Sequence, residues 1–284
     1  MKRGYRIVVS AEYNPYLEWQ VKLFYYSCVT RLQTQPFIIV HEMTGGARPY
    51  FKDVLKAGGI IRRAPSFRVT GWGDVYPPRN TVGTLLHAAD ACEGRDEFIV
   101  LCDPDMLFVR EPDFPPTLAG DFYSFMDYTT PAVVDAMRRL GIPQSRLDSY
   151  GDALKCGVPY IIPVEVARPL AERWLDALDA FPPRRWIDGM YAFGLAVVSL
   201  DLDLSLNRTV ICNGEPARPL AGDIIHYSYP DGSWNKRDFL TDEQARGVWK
   251  PALRPPAGTV MAEVVAQIHE AREFYRDPFS PRED

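Results

Sequence analysis

Short apolar runs alternate with longer amphipathic stretches along the first hundred positions of the chain. The runs predict buried strands at 5–10, 37–41, 59–61 and 98–102, and the stretches between them predict helices at about 16–32, 47–57 and 80–92. Asn80 is expected to cap the third of these helices, whose apolar face carries Leu85, Leu86 and Ala89. This alternation predicts an α/β fold with a doubly wound, mainly parallel central sheet.

The second half of the pattern is less regular, and Pro112, Pro115 and Pro116 interrupt it. It predicts a strand at 160–163, helices at 164–180 and 186–200, a strand at 223–228, a loop at 229–236 and a helix at 258–275. A chain of 284 residues can bury a full core as one domain. We predict a single domain over 1–284, with a regular half at about 4–110, an irregular half at about 111–240, and a C-terminal helix and tail at 241–284.

Composition and charge narrow the classes of partner. A formal net charge of −5 argues against a nucleic-acid partner and against an anionic membrane surface. The sequence shows neither an apolar leader nor an apolar run of spanning length, so we expect a cytoplasmic protein without a membrane anchor. Arginine outnumbers lysine, a composition that suggests a bacterial protein. The five scattered cysteines predict free thiols rather than disulfides or a zinc site: Cys28, Cys92, Cys102, Cys156 and Cys212.

Two carboxylates interrupt the apolar run at 98–109, where Asp103 and Asp105 flank Pro104. Burying unpaired charge costs several kcal/mol, so a cation or a proton is expected between them. Oxygen ligands at the carboxyl end of a buried strand suit Mg²⁺ or Mn²⁺ holding a diphosphate. The triplet therefore predicts an Asp-x-Asp nucleotide-sugar site, and the alternative is a turn with two solvated aspartates.

His226 and Lys236 are candidates for the same site. His226 ends an apolar run about 120 residues after Asp105, and a neutral imidazole there could supply a third ligand to the ion. The alternative is a half-buried histidine bonded to a backbone carbonyl, but its coupling to the two aspartates favours the ligand. Lys236 could neutralise charge on a departing nucleoside diphosphate, and its alternative is a solvated lysine.

Five segments, in the same order, resemble the plant hydroxyproline O-arabinosyltransferase and peptidyl-serine α-galactosyltransferase group. These are metal-dependent retaining glycosyltransferases of the GT-A fold. The segments are 14–20 with Tyr25 and Tyr26, 76–80 leading to 97–106, 157–162 with Trp174, 186–191, and 226–227 with Trp234 and Lys236. The resemblance implies that the regular half binds a nucleotide sugar and that the irregular half carries the acceptor and catalytic residues.

The resemblance also implies a role for each matched residue. Asp105 would ligate Mn²⁺ or Mg²⁺, Asp103 would ligate it and face the ribose and a metal-bound water, and His226 would complete the ligand set. A catalytic role in stabilising the leaving diphosphate would fall to Asp105 and Lys236. The residues implied near the UDP-sugar donor are Asn14, Trp19, Gln20, Arg79, Asn80, Trp234 and Lys236.

The chain departs from the family pattern in the segment at 186–191. Gly189 stands where the family tends to place glutamate, and Asp188 precedes it. One residue turns a helical side chain by about 100°. Asp188 is the best candidate for a catalytic carboxylate that faces the sugar, with a surface or helix-cap role as the alternative. The aspartate at Asp103 agrees with the galactosyl branch and favours a hexose donor over arabinose.

The predicted reaction is transfer of a sugar from a UDP-sugar to a hydroxyl acceptor with retention of configuration. No carboxylate pair suitable for a glycosyl-enzyme is evident beyond Asp188, so front-face attack is the working hypothesis. The acceptor is expected to be a peptide serine or hydroxyproline, a small molecule or a glycan. It could stack in a groove lined by aromatic residues, for which the candidates are Trp72, Tyr76, Tyr128, Trp186 and Tyr229. Alternatives are a nucleotidyltransferase, although no glycine-rich basic loop follows the first strand, and a non-catalytic nucleotide-sugar-binding protein.

Overall fold

The computed structural model describes residues 4–42, 50–181, 185–215, 217–230 and 234–275. In those ranges it contains ten strands: β1 (Tyr5–Glu12), β2 (Phe37–Glu42), β3 (Ile60–Pro65), β4 (Phe98–Cys102), β5 (Met106–Phe108), β6 (Ala119–Phe122), β7 (Cys156–Pro163), β8 (Ser205–Asn207), β9 (Val210–Cys212) and β10 (Ile224–His226). The α-helices of the same ranges are α1 (Pro15–Arg31), α2 (Lys52–Lys56), α3 (Arg79–Cys92), α4 (Pro131–Leu140), α5 (Gln144–Asp148), α6 (Val164–Asp179), α7 (Asp188–Ser199), α8 (Asp242–Val248) and α9 (Val260–Phe274).

A seven-stranded sheet in the order β3-β2-β1-β4-β7-β6-β8 forms the centre of the molecule. The strands β3, β2, β1 and β4 pair in parallel, as the alternating pattern predicts. β7 is antiparallel to β4 and to β6, and β8 runs parallel to β6. Only β7 is therefore reversed, and the predicted α/β fold with a mainly parallel sheet is confirmed.

A second sheet of three strands, in the order β5-β10-β9, lies next to the carboxyl end of β4. β5 begins only four residues after β4 ends, so the chain passes from the large sheet to the small one through the turn that contains Asp103 and Asp105. β10 pairs antiparallel with β5 and parallel with β9. The turn is thus fixed at both of its ends by different sheets.

The helices fall close to their predicted positions, with two corrections. α3 begins at Arg79, after Pro78, so Asn80 lies inside its first turn and its side chain does not cap it. The predicted helix at 47–57 is only α2, Lys52–Lys56, and residues 43–49 lie outside the described residues. Asn14, in contrast, caps α1, because its side chain accepts a hydrogen bond from the Leu17 amide.

Two apolar clusters form the core. The larger packs the central sheet against its helices. The smaller joins α1, the small sheet, α8 and α9, and includes Trp19, Leu107, Trp234 and Trp249. Four of the five cysteines are buried free thiols and Cys212 is half-buried, in line with the prediction. No helix among the described residues is both long and apolar enough to cross a membrane.

Candidate metal centre and sugar-nucleotide site

The turn between β4 and β5 brings the two predicted carboxylates to the carboxyl edge of the parallel strands. The Met106 amide donates a hydrogen bond to the Asp103 carbonyl oxygen at 3.3 Å, which closes the turn around Pro104. Pairing of β5 with β10 sets His226 opposite Met106. The Tyr227 amide also donates to the Asp105 carbonyl oxygen at 3.1 Å. Backbone pairing therefore carries His226 to Asp105 across about 120 residues of sequence.

Asp103, Asp105 and His226 form one cluster, in which a ligand atom from each residue lies within 4.8 Å of the others. His226 Nε2 is 3.3 Å from Asp105 Oδ1 and 4.0 Å from Asp103 Oδ2. Asp105 is only 4% exposed, whereas the Asp103 side chain is 33% exposed. Two carboxylates and an imidazole suit Mn²⁺ or Mg²⁺, and the partly open Asp103 side leaves room for further oxygen ligands.

The protonation states of the three candidate ligands depend on one another. Burial by itself favours the neutral form of Asp105, but His226 and Lys236 beside it hold its pKa well below the usual range. Burial and the neighbouring Asp105 raise the pKa of Asp103 to about 6. Burial opposes the charged form of His226, but Asp105 and other polar neighbours raise its pKa to about 10. The two carboxylates of the cluster thus hold positive charge on the side chains beside them.

Lys236 lies directly against the cluster. Its ammonium group donates a hydrogen bond to Asp105 Oδ2, and its side chain is largely buried. Asn235 precedes it and accepts a hydrogen bond from the Arg237 amide, which starts the short 3₁₀ turn Lys236–Asp238. Burial disfavours the charged amine, but Asp105 and Tyr16 raise the pKa of Lys236 overall. The structure therefore brings together all four residues predicted at the metal centre and leaving group.

Two residues of the cluster were missed in the sequence. The Tyr123 hydroxyl oxygen lies 3.1 Å from His226 Nδ1 and 3.0 Å from the Val158 carbonyl oxygen. Cys212 pairs with His226 in the β9–β10 ladder and helps to raise the pKa of the imidazole. The available signal for Tyr123 was its place directly after the short run at 119–122, but this run was not predicted as a strand.

Four residues implied near the donor make packing or capping contacts within the protein. In the smaller core cluster Trp19 stacks on Tyr227 and Trp234 meets Tyr227 edge to face, and the Trp19 indole donates to the Phe239 carbonyl oxygen at 3.2 Å. The Gln20 amide is buried and donates to the Tyr16 carbonyl oxygen at 2.8 Å. The Asn14 side chain caps α1. These residues form part of the packing next to Lys236 and Tyr227.

Arg79 and Asn80 connect α3 to neighbouring segments. Arg79 Nη1 donates to Asp179 Oδ1 at 2.6 Å, at the end of α6. The Asn80 amide is buried, donates to Glu12 Oε1 at 2.9 Å, and accepts from the Phe67 amide at 2.7 Å. Asn80 therefore joins the end of β1 to the loop that follows β3.

Asp188 is fully buried at the first residue of α7. One oxygen accepts from the Arg185 backbone amide at 2.6 Å, and the other accepts from the Arg185 guanidinium at 2.8 and 3.1 Å. Both carboxylate oxygens are thus occupied in this conformation. The Arg185 side chain, in contrast, is half-exposed.

Two indole rings are exposed beside the start of α7. Trp72 is 63% exposed and Trp186 is 78% exposed. The Trp72 indole donates to the Asp179 carbonyl oxygen at 2.8 Å, and Tyr76 donates to the Trp186 carbonyl oxygen at 2.8 Å. Of the other aromatic residues predicted to line a groove, Tyr229 is exposed and Tyr76 is buried.

Comparison with known proteins identifies the architecture. No family model matches this chain, and no curated protein matches it. The crystal structure of the galactosyltransferase LgtC, in complex with donor and acceptor sugar analogs, is similar at a TM-score of 0.50 and 12% identity. The match covers 88% of this chain and 97% of LgtC. This likeness shows the fold, and the GT-A architecture predicted from the sequence is confirmed.

Proposed function

We propose that this chain is a metal-dependent glycosyltransferase that moves a sugar from a UDP-sugar to a hydroxyl acceptor with retention of configuration. The observation that carries the proposal is the cluster of Asp103, Asp105 and His226 at the carboxyl edge of a GT-A-type sheet. Ligands of such sheets bind beyond the carboxyl ends of the strands. The donor diphosphate would therefore meet the cluster there.

Each residue of the cluster has a distinct part in the proposal. Asp105 and His226 hold Mn²⁺ or Mg²⁺ from the buried side, and the more exposed Asp103 contributes from the side that faces the ribose. A bound divalent ion supplies positive charge to the leaving diphosphate. Lys236, whose ammonium group contacts Asp105, is close enough to donate to the same diphosphate. Negative charge grows on the diphosphate during transfer, so these interactions lower the barrier.

Retention by front-face attack is the route that we propose for the transfer. A glycosyl-enzyme route needs a carboxylate free to bond the anomeric carbon. Asp188, the candidate from the sequence, is buried and accepts hydrogen bonds from Arg185 on both oxygens. In front-face attack, a diphosphate oxygen takes the proton of the acceptor hydroxyl, and no protein nucleophile is needed. The catalytic role of Asp188 stays a prediction.

The donor sugar and the acceptor belong to the same proposal. The aspartate at Asp103 favours a hexose such as galactose, and arabinose is the alternative. The exposed faces of Trp72 and Trp186 suit a partner with apolar faces, either a sugar ring or a proline ring. A peptide with serine or hydroxyproline, or a glycan, would supply both an acceptor hydroxyl group and an apolar face. The contacts implied between the donor and Asn14, Trp19, Gln20, Arg79, Asn80 and Trp234 stay predictions.

The test is a screen of UDP-sugars with Mn²⁺, in which the release of UDP is measured. We expect UDP release from at least one donor, its loss with EDTA, and at least a hundredfold loss in Asp105→Asn, because the variant removes a buried ligand. Asp96→Asn is the matched control. Asp96 lies just before the start of β4, at the opposite end of that strand from Asp105, and forms an ion pair with Arg6 of β1. Failure of every nucleotide sugar to react would refute the proposal, and release of pyrophosphate in a separate assay with UTP and a sugar 1-phosphate would favour the nucleotidyltransferase.

A further inference from the structure

The imidazole of His226 has a defined neighbour on each ring nitrogen. Nε2 faces the two carboxylates of the metal centre. Nδ1 faces the Tyr123 hydroxyl oxygen at 3.1 Å, and the same oxygen lies 3.0 Å from the Val158 carbonyl oxygen in β7. Tyr123 is buried, so its hydroxyl group bonds to these two protein partners rather than to bulk water. The hydroxyl therefore lies in a short relay between the large sheet and the imidazole.

The direction of the hydrogen bonds in this relay follows from counting protons. A tyrosine hydroxyl carries one proton, and a backbone carbonyl oxygen can only accept. Both contacts are hydrogen bonds only when Tyr123 donates to Val158 and accepts from His226. Nδ1 of His226 must then carry a proton. In the neutral imidazole the other nitrogen, Nε2, is left with its lone pair, and a metal ion needs that lone pair.

We propose that Tyr123 is a positioning residue that keeps the proton of neutral His226 on Nδ1 and presents the Nε2 lone pair to the divalent cation. This inference rests on the metal site of the proposed function. Ligating histidines generally donate their other N–H to a fixed acceptor, which sets both the tautomer and the ring orientation. Here the acceptor is a tyrosine whose own proton is committed to a backbone carbonyl.

The fold holds Tyr123 firmly in this place. It directly follows β6, and its amide donates to the Lys155 carbonyl oxygen at 2.8 Å. Its ring packs over Gly157, where an added Cβ would come within 2.9 Å of a ring carbon. Cys212 pairs with His226 in the β9–β10 ladder, but a thiol is a weak hydrogen-bond partner. The tyrosine is therefore the stronger and better fixed of the two outer contacts.

Removal of the hydroxyl in Tyr123→Phe leaves Nδ1 without its acceptor and keeps the ring. The imidazole can then hold its proton on Nε2, the form that cannot bind the metal. Loss of such an outer partner typically weakens metal affinity by about 10- to 100-fold. We expect at least a tenfold rise in the Kd for Mn²⁺, measured by electron paramagnetic resonance of the unbound ion.

The matched control is Tyr25→Phe. Tyr25 is also buried and its hydroxyl donates to a backbone carbonyl, that of Ala57, at 2.8 Å, but it lies in α1 and has no contact with His226 among its hydrogen bonds. Tyr123→Phe loses two buried hydrogen bonds and Tyr25→Phe loses one, so thermal unfolding should report a loss of stability in both variants and a larger one in Tyr123→Phe. We expect Tyr25→Phe to keep the Kd for Mn²⁺. Equal Kd values for the unaltered protein and Tyr123→Phe would overturn the proposal.

A second measurement detects the tautomer directly. In protein labelled with ¹⁵N-histidine and saturated with Mg²⁺, nitrogen shifts of His226, assigned with His226→Gln, should show the proton on Nδ1. A proton on Nε2 would overturn the proposal. Failure of the unaltered protein to bind either ion would refute the metal site and the relay together. Normal binding and a normal relay without UDP release would refute only the proposed transferase activity.

Discussion

The Tyr76 side chain provides a test of how the start of α7 is held in place. Its buried hydroxyl donates to the Trp186 carbonyl oxygen and accepts from the Gly189 amide, both at 2.8 Å. Gly189 is the second residue of α7, so its amide is one of the helix donors that lack a partner within the helix. One hydroxyl group therefore ties the loop after β3 to the first turn of α7.

Tyr76→Phe removes both hydrogen bonds without changing the ring. A neutral hydrogen bond contributes about 1 kcal/mol net, and an amide left unpaired by the change adds to the loss. Trp186 is well exposed, so its carbonyl group can recover a bond to water. We expect the free energy of unfolding to fall by about 2 kcal/mol, measured by urea denaturation.

The control is Tyr5→Phe, which removes one longer hydrogen bond from a half-buried hydroxyl to the Phe114 carbonyl oxygen at 3.3 Å. We expect that variant to lose less than about 1 kcal/mol. A loss in Tyr76→Phe no larger than in Tyr5→Phe would refute the reasoning. It would mean that the start of α7 is fixed by its other contacts, such as the bond from the Trp174 indole to the Gly189 carbonyl oxygen at 2.8 Å.

Two further predictions concern Asp188 and His41. Asp188→Asn and Arg185→Met should lower UDP release by a similar factor, because each variant breaks the same ion pair. A far larger loss in Asp188→Asn would support the sugar-facing role that the sequence predicts for its carboxylate. His41 forms hydrogen bonds with Pro65 and Thr84, and burial lowers its pKa below the usual value of 6.5. The unfolded chain therefore takes up a proton at this residue more readily than the folded protein does. Stability should therefore fall as the pH drops below about 6.5, and urea unfolding of His41→Gln should show a smaller fall; equal falls would contradict this assignment.

The parts of the site that lie at the ends of strong apolar strands were predictable from the sequence. The run at 98–102 and the run ending at His226 are both unambiguous, and parallel strands bring their carboxyl ends to one edge. Asp103 and Asp105 follow from that rule, whereas His226 ends a strand of the small sheet and reaches them because β10 pairs antiparallel with β5. Tyr123 does not follow from the rule, because β6 has only four residues and includes Gly120 and Asp121. A strand so short is formed by pairing with β7 and β8, and pairing is not visible in a local pattern.

The residues of α1 that the resemblance places near the donor were harder to judge from the sequence. α1 is buried on nearly all sides, since it lies between the central sheet and the C-terminal helices. A helix that is apolar all round has no face that marks the side of a ligand. Trp19 and Gln20 therefore matched a family segment at the right distance from the strand, but the matching letters could not tell a ligand contact from a packing contact. The packing partners of Trp19 include α8, α9 and Trp234, which follow more than 200 residues later and are not visible in a local pattern.

The candidate metal centre lies where the two sheets meet, so its residues come from both. The turn with Asp103 and Asp105 leaves the large sheet at Cys102 and enters the small sheet at Met106. His226 belongs to the small sheet, whereas Tyr123 follows a strand of the large one. The hydrogen bond from His226 to Tyr123 therefore crosses between the sheets, as a cation held by the three ligands also would. Any change in how the sheets pack should alter the ligand positions, and a cation that binds only this packing must in turn stabilise it.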